Sequence, residues 1–403
     1  MPGIRPLLKF SYTLNWIVSP QPFGFHLLNL ALHIANTVLL YFLLRSFASS
    51  HTMAGQRPIP AIIAFAASLL FAIHPVQTEA VTYISSRSVS LMASFYLGSM
   101  LAYAHGSASG AKVWLYLVSP LLFALAVLTK ETALTLPFSL MLWEMLRSQQ
   151  TSRWAEIVKK QAFHWLVFAT TLIGALLHPI YQDLLAVSLS ERDTYQNLLT
   201  QINGIAYLLS RLIWVHQLNI DPDLPVITAL TPLLIVKALG IGALIGIGFA
   251  QRKKRPWVAW GIFWFFLQLA PTNSLLPRLD VANERQLYLA NVGIFLIVAI
   301  GLFHLLNVLG NFQRQIVQTG AILIAIALII STIQRNRVYE YQVDLWQDTV
   351  KNSPSKARVR NNLGFALATE GDHEGACSHF RTALALKPDY ALAKKNLTSQ
   401  GCR

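Results

Sequence analysis

Four groups of polar and ionisable residues interrupt an otherwise apolar sequence, and each lies beside a long apolar run. In chain order they are Arg5, Lys9, His26 and Asn29; His74, Glu79, Ser86 and Arg87; Lys130 and Glu131; and Asn273, Arg278, Asp280, Glu284, Arg285 and Tyr288. Ionisable groups beside membrane-length apolar runs are costly and usually have a function. Arginine and lysine bind phosphate, and a carboxylate accepts the proton of a hydroxyl group. These residue types therefore favour chemistry between a phosphorylated lipid donor and a hydroxyl acceptor.

Each group taken alone also has a structural interpretation. Arg5 and Lys9 fit contact with lipid headgroups, and Lys130 with Glu131 fits a solvated turn between two helices. Glu284 fits the start of a helix, where the helix dipole stabilises a carboxylate. The residue types alone leave both interpretations open.

The composition indicates what kind of fold positions these groups. Of the 403 residues, 54% are hydrophobic and 12% are charged, and the mean hydropathy is +0.47. An ordinary globular chain has about 25% charged residues. These values exclude a soluble enzyme over most of the length, and they exclude a disordered chain. They predict an all-α fold, that of a polytopic helical membrane protein.

Ten apolar segments are long enough, or nearly so, to cross a bilayer core of about 30 Å. They cover residues 27–47, 60–73, 89–105, 113–128, 133–146, 163–179, 232–250, 256–271, 289–307 and 317–333. We therefore predict a transmembrane domain of about ten spans over residues 1–333 and a separate C-terminal tail over residues 334–403.

The distribution of basic residues predicts which loops face the cytoplasm. Alternate short loops carry twelve lysines and arginines, whereas the longer loops opposite carry eight, together with most of the loop acids. Because short cytoplasmic loops are enriched in basic residues, the first set is predicted to be cytoplasmic. The net charge of +14 then reflects topology and not a nucleic-acid partner. The four polar groups and the tail fall on the external face, in the periplasm or in a lumen.

Two parts of the chain constrain this topology. Residues 204–217 are apolar but contain Arg211, and counting them as a span would place the basic run 252–255 outside. They are therefore predicted to form a re-entrant or interfacial helix within one long external region, 178–231. Ten crossings also place the first residue outside, although residues 1–26 contain neither a span nor a signal peptide. A further apolar helix ahead of the chain is therefore expected.

The tail repeats small and large apolar residues in a 34-residue frame. Positions typical of a tetratricopeptide repeat hold Leu363, Gly364, Leu367, Ala376, Phe380, Ala383 and Pro388. Trp346 precedes Phe380 by 34 residues, which predicts one full repeat between two partial ones. Because so few repeats seldom fold alone, the tail is expected to dock on the membrane domain or on another chain, as a protein-binding groove or a structural cap.

The sequence contains two cysteines, Cys377 and Cys402. Their spacing matches no zinc site, and it is compatible with one disulfide between them.

In their order along the chain, these motifs resemble those of one known family. RPLLKFSYTLNW with FGFHLLNLALHIAN, HPVQTEAVTYISSRSVSLMA, LTKETALTLPFSLMLWE, and LAPTNSLLP with ANERQLYLANVGIFLIVA are similar to successive motifs of the transmembrane and tetratricopeptide-repeat O-mannosyltransferases and their bacterial homologues. The resemblance covers about residues 4–400. It implies a GT-C glycosyltransferase fold and transfer of a sugar from a polyprenyl-phosphate lipid to an acceptor protein hydroxyl. It further implies a bacterial inner membrane or, alternatively, the endoplasmic reticulum.

The resemblance and the charges assign a donor-binding role to nine residues. They are Arg5, His26, His74, Arg87, Lys130, Glu131, Glu284, Arg285 and Tyr288. Arg87 and Arg285 are expected to hold the donor phosphate, because guanidinium groups match its oxygens. Glu131 and Glu284 are expected to orient the basic residues beside them. Residues 178–231 are expected to cover the sugar.

The acceptor side of the expected site is less complete. Glu79 is the candidate catalytic residue, either positioning the acceptor or acting as a base. The first helix and the acidic first-loop motif that such proteins carry ahead of the Arg-Pro-Leu motif are absent from this sequence, so the expected catalytic aspartate is not assigned. Scattered histidines and carboxylates leave a divalent metal open, although no ligand spacing supports one.

A non-enzymatic function is the main alternative. A membrane-anchored repeat protein would act as a scaffold for cell-envelope assembly, and the missing acidic motif favours this interpretation. Ten spans and outward-facing charged groups exceed what an anchor requires. A transporter would carry charged residues in mid-span and paired broken helices, and the sequence offers little sign of either.

Overall fold

Helices form all the regular structure of the described residues, 4–49, 58–147 and 154–402, in this computed structural model. The first eleven α-helices are α1 (Pro6–Val18), α2 (Pro22–Ser49), α3 (Pro58–Ile73), α4 (Thr78–Val81), α5 (Arg87–Ser109), α6 (Ser119–Thr129), α7 (Leu136–Arg147), α8 (Trp154–Lys160), α9 (Ala162–Leu177), α10 (Pro179–Glu191) and α11 (Thr194–Arg211). The others are α12 (Pro232–Gln251), α13 (Pro256–Leu269), α14 (Leu287–Val308), α15 (Asn311–Val338), α16 (Gln342–Asn352), α17 (Ala357–Thr369), α18 (His373–Leu386) and α19 (Ala391–Ser399). Short 3-10 turns cover Pro75–Gln77, Ile84–Ser86, Glu131–Thr135, Val215–Gln217 and Glu284–Gln286, and a π-helical turn covers Trp114–Val118. The predicted all-α membrane fold is confirmed.

The ten predicted apolar segments lie almost entirely on helices. Within the described part of the chain, α2, α12, α14 and α15 are long and apolar enough to cross a membrane. Two bent pairs raise this number to six, if each pair is one span: α3 with residues 75–81, bent by 57°, and α8 with α9, bent by 69°. The total of ten spans stays a prediction. Arg57 and Arg153, two of the basic residues used to orient the chain, lie outside the described residues.

Large aromatic side chains form the centre of the helical bundle. Trp143 of α7 and Trp260 of α13 both pack against Phe47 of α2, with ring centroids 5.0 and 5.1 Å apart. Trp264 stacks on Trp260, and its indole N–H donates to the Leu289 carbonyl of α14 over 2.6 Å. Aromatic pairs of this kind stabilise a core beyond the area that they bury. They hold α2, α7, α13 and α14 together, so that the segments between helices that carry the polar groups have a fixed base.

Close approach of α13 and α14 depends on two glycines. A methyl group added to Gly261 would lie 2.5 Å from the carbonyl oxygen of Gly293. Small residues at such a crossing let two membrane helices pack backbone to backbone. This packing fixes the start of α14 relative to the end of α13, and both border the candidate site.

Two apolar helices lie at the outside of the bundle. In α15, no residue of the apolar window is buried against the rest of the chain, and in α12 only 11% of the window is. An apolar surface of this length requires a non-aqueous surrounding, since water would disfavour it. α12 and α15 are therefore lipid-facing helices of an integral membrane protein.

The C-terminal tail consists of successive packed helices, as its periodicity predicts. α16, α17, α18 and α19 each pack on the next. Phe380 of α18 is 1% exposed and fits against Gly364 of α17, where an added methyl group would lie only 2.8 Å from the Phe380 ring. Cys377 and Cys402 form a disulfide that ties α18 to the segment after α19. The tetratricopeptide identity of this helical tail stays a prediction.

We expect Phe380→Ala to unfold the tail while leaving the spans inserted. Removing a buried phenylalanine costs about 3–5 kcal/mol, and a module of this size has little stability in reserve. Limited proteolysis of the membrane-bound protein should release tail fragments faster than in the wild type. Phe365→Ala is the matched control, because Phe365 is 56% exposed on the neighbouring helix. Equal proteolysis of Phe380→Ala and the wild type would contradict the packing described above.

Candidate functional site

A short turn before α14 carries two of the predicted site residues, Glu284 and Arg285. A capping box between Asn283 and Gln286 fixes the turn. The backbone N–H of Arg285 donates to Oε2 of Glu79 over 2.7 Å, and the Arg285 guanidinium lies 3.2 Å from Glu79 Oε1. Glu79 is fully buried, whereas the Arg285 side chain is 32% exposed. Because breaking a buried ion pair is costly, Glu79 holds Arg285 in place while part of the guanidinium stays accessible.

Glu284 makes a different set of contacts from its neighbour. Its Oε1 accepts hydrogen bonds from the backbone N–H of Asn219, over 2.7 Å, and from the Tyr207 hydroxyl, over 3.2 Å. Only 2% of Glu284 is exposed. The structure therefore gives the orientation of Arg285 to Glu79 and not, as the sequence led us to expect, to Glu284. Glu284 instead joins the turn to α11, through Tyr207, and to the region between α11 and α12, through Asn219.

Lys130 lies between α6 and the turn 131–135 and lines a narrow cleft with Arg285. The other lining residues are Val89, Met92, Thr132, Gln268, Thr272, Gln286 and Leu289. Within the described residues, Lys130 Nζ has no hydrogen-bond or ion-pair partner. Burial and the nearby cations Arg285, Arg5 and Arg278 lower the pKa of Lys130 well below its ordinary value. An anion in the cleft would relieve this repulsion and stabilise the charged ammonium.

Arg5 approaches the same cleft through Glu131. Its Nε and one terminal nitrogen donate to the Glu131 carboxylate over 3.1 and 2.8 Å, which is a bidentate ion pair. The Tyr181 hydroxyl of α10 also donates to Glu131, over 3.0 Å. Burial opposes ionisation of Glu131, but Arg5 outweighs it and lowers the pKa of the carboxyl group. Glu131 therefore orients Arg5 and not Lys130, the residue that the sequence led us to expect.

Arg87, at the start of α5, is buried and most of its donors are already used. Nε donates to Asn29 Oδ1 over 2.8 Å, and a terminal nitrogen donates to Asn15 Oδ1 over 2.6 Å. Further hydrogen bonds run to the carbonyl groups of Ser11 and Phe25. The guanidinium thus ties α1 and α2 to α5. A phosphate would have to displace these partners, and phosphate binding by Arg87 stays a prediction.

Three further predicted residues contact the framework of the site. His74 is buried and caps the turn that follows it by accepting a backbone N–H. The Tyr288 hydroxyl is buried and hydrogen-bonded to His33, over 2.9 Å, and to Asn36, over 3.0 Å. His26 is partly buried in the first turns of α2. Donor binding by these three residues is a prediction that the contacts leave untested.

Six of the ten predicted site residues surround the cleft or hold the residues that do. They are Arg5, Glu79, Lys130, Glu131, Glu284 and Arg285. Sequence reasoning missed Gln268 and Thr272, which supply polar lining. Gln268 had a usable signal, because it is the one amide side chain in the apolar helix α13. Among the residues that the structure describes, no three His, Cys, Asp or Glu side chains are grouped to hold a metal.

We expect the cleft to bind a phosphate more weakly as the pH rises. An anion raises the lowered pKa of Lys130, so binding takes up a proton, and affinity is highest below the pKa of Lys130 in the free protein. Affinity is then lost as the pH passes that value. The measurement is the Kd of a polyprenyl phosphate in lipid nanodiscs across the neutral and alkaline range. Lys130→Met should flatten this pH dependence, whereas Lys9→Met, at an exposed position of α1, should retain it. A slope that survives in Lys130→Met would assign the titration to another group.

Comparison with known proteins connects this site to a family. The chain is 27% identical to protein O-mannosyl-transferase Tmtc3 of Drosophila melanogaster, over 96% of the chain and 48% of the relative. It is 25% identical to protein O-mannosyl-transferase TMTC3 of Mus musculus (98% and 45%) and 25% identical to protein O-mannosyl-transferase F38B6.6 of Caenorhabditis elegans (96% and 54%). No family model and no solved structure matches the chain. The chain spans about half the length of the curated relatives it matches. Over nearly all of its own length it is similar to protein O-mannosyl-transferases, which confirms the resemblance that its motifs indicate.

Proposed function

We propose that this chain transfers a sugar from a polyprenyl-phosphate carrier to a protein hydroxyl. One observation carries the proposal: the cleft combines the cations Lys130 and Arg285 with an apolar wall of Val89, Met92 and Leu289. A phosphate on a long isoprenoid chain needs both, because its head requires positive charge and its tail requires a lipid-like surface. The relatives, which are named as protein O-mannosyltransferases, support glycosyl transfer to protein. A GT-C fold is part of the proposal.

Within this proposal, the basic residues at the cleft divide the work. Arg285 supplies a guanidinium edge that matches two phosphate oxygens, and Glu79 keeps it in position. Lys130 adds a compact charge from the opposite connector. Arg5 and Arg278 lie near enough to lower the pKa of Lys130, so they strengthen the positive field without lining the cleft.

We also propose Glu79 as the catalytic residue, a role that requires its carboxylate to become accessible to the acceptor. It is fully buried and both its oxygens face Arg285. A base must reach the proton of the acceptor, so catalysis by Glu79 requires Arg285 to turn toward the donor phosphate and release one carboxylate oxygen. The proposed chemistry therefore couples donor binding to exposure of the base.

The proposed site faces the periplasm of a bacterial inner membrane or, alternatively, the lumen of the endoplasmic reticulum. The excess of basic residues in the opposite loops supports this orientation. The disulfide between Cys377 and Cys402 also supports it, because disulfides persist in oxidising compartments and are rare in the cytosol. On that side, the helical tail is proposed to bind the acceptor protein.

We expect Arg285→Ala to weaken donor binding by about tenfold or more. Charge-assisted hydrogen bonds to phosphate are worth about 1.5–3 kcal/mol. Arg285→Lys should restore only part of the loss, because an ammonium group cannot form the guanidinium fork. The measurement is transfer of labelled sugar from polyprenyl phosphate to protein in membranes that contain the variant, with its KM for the donor.

Two controls separate lost binding from lost folding. Arg285→Ala leaves Glu79 buried without its partner, so the double variant Glu79→Gln/Arg285→Ala tests binding without an unpaired charge. Arg252→Ala removes an arginine from the exposed loop between α12 and α13, which is predicted to face the cytoplasm, and should leave transfer unchanged. If the wild type transfers no sugar from any carrier, while removal of the tail still disrupts an envelope complex, the scaffold interpretation replaces the enzyme.

The orientation can be tested with the two cysteines, which are the only ones in the sequence. After reduction by a membrane-impermeant phosphine, we expect Cys377 and Cys402 to react with an impermeant maleimide on sealed spheroplasts. In a Cys377→Ser/Cys402→Ser background, a cysteine introduced by Lys253→Cys should react only after lysis, because that loop is predicted to be cytoplasmic. Labelling in the opposite order would overturn the proposed external face.

A further inference from the structure

The tail docks on the membrane domain through the loop between α16 and α17. Ser353 Oγ accepts a hydrogen bond from Asn219 Nδ2 over 2.7 Å and donates one to the Asp221 carbonyl over 2.9 Å. All three residues are buried, at 0%, 3% and 4% exposure respectively. The loop therefore places the buried Ser353 hydroxyl against the segment that follows α11. Because all its partners are buried, this contact is part of the folded core and not a surface contact.

An ion-pair cluster surrounds the same contact. Arg358 donates to the Asp221 carboxylate through two nitrogens, over 2.8 and 2.6 Å, and Lys356 pairs with the same carboxylate. Arg358 also reaches Asp280, on the stretch between α13 and the turn before α14. Burial opposes ionisation of Asp221, but Arg358 and Lys356 outweigh it and lower the pKa of the carboxyl group. Two cations of the tail are thus held by two carboxylates of the membrane domain.

The docked segment leads directly to the cleft. Asn219 Oδ1 accepts the backbone N–H of Asp221 over 3.1 Å, which fixes the local turn. The backbone N–H of Asn219 donates to Glu284 over 2.7 Å. The next residue is Arg285, whose own N–H is held by Glu79. The turn that presents Arg285 is therefore clamped from one side by α4 and from the other by a segment that the tail holds.

We propose that the tail segment 353–358, which is the α16–α17 loop and the start of α17, is a positioning element of the donor cleft, acting through Asp221 and Asn219 on Glu284 and Arg285. This inference rests on the proposed function for the nature of the ligand, a polyprenyl phosphate. Asp221 touches no substrate in this scheme and acts only through other residues. Because coupling between two sites is reciprocal, donor binding also tightens the docking of the tail. An acceptor protein that displaces this segment would lower the affinity of the cleft for the donor phosphate.

The first test measures the coupling without reference to catalysis. Hydrogen–deuterium exchange of the membrane-embedded full chain reports on the backbone N–H groups of residues 216–224 and 283–288. We expect both stretches to exchange at least tenfold faster in Asp221→Asn than in the wild type. Asp223→Asn is the matched control, since Asp223 is exposed in the same segment, and its exchange should equal that of the wild type. Unchanged exchange of 283–288 in Asp221→Asn would overturn the inference.

The milder variant Ser353→Ala separates the proposed coupling from an effect of undocking the whole tail. It removes the two hydrogen bonds to Asn219 and Asp221 but keeps every ion pair, so the tail stays docked. We expect faster exchange of 283–288 in this variant as well, with the protection of α17 and α18 retained. Retained protection throughout residues 283–288 would show that tail contact and cleft are independent.

The second test places the effect on donor binding. In sugar transfer from polyprenyl phosphate, Asp221→Asn and Ser353→Ala should raise the KM for the donor several-fold while kcat changes little, because the clamp positions a phosphate ligand. A fall in kcat at unchanged KM would overturn the proposed route through Arg285. If the wild type binds no polyprenyl phosphate although the exchange test succeeds, the proposed function fails while the clamp itself stands.

Discussion

Charge that is buried in an apolar bundle has to be neutralised locally, and this constraint shapes the external end of the molecule. Glu79 is fully buried, and it forms an ion pair with Arg285, 206 positions further along the chain. Losing one member of such a pair is far costlier than losing an exposed ion pair. The turn before α14 therefore cannot move independently of α4, and the guanidinium at the wall of the cleft takes its position from this pair.

The same constraint recurs at the other connectors. Arg5 with Glu131 joins α1 to the turn after α6, and Asp221 with Arg358 joins the segment after α11 to the tail. In each case one charge lies in a connector and its partner lies more than a hundred positions away. The polar residues are thus a framework that links the ends of the helices. Among the described residues, Lys130 makes no hydrogen bond or ion pair in this framework, so it is the cation most available to a ligand.

The fold was largely predictable because apolar length and helical periodicity are local properties. The ten apolar segments and the packed tail helices follow from such patterns, whereas a shared site for Lys130 and Arg285 was expected from the family resemblance and the charges. The pairing of charges was not predictable in the same way. Glu284 stands next to Arg285 in the sequence but bonds to Asn219, and Glu131 stands next to Lys130 but pairs with Arg5. Burial in three dimensions decides these pairs, and a single sequence does not contain that information.

The tail and the cleft lie on one side of the membrane whichever way the chain is inserted. Segment 353–358 contacts residues 219–221, and Asn219 contacts Glu284, the neighbour of the cleft residue Arg285. The tail and the cleft therefore face the same compartment, and evidence on the location of one applies to the other. The disulfide between Cys377 and Cys402 bears on that choice independently of the basic loops, because it favours an oxidising compartment for the tail. Charge asymmetry and cysteine chemistry have different physical origins, and both favour the proposed external side for the tail and the cleft.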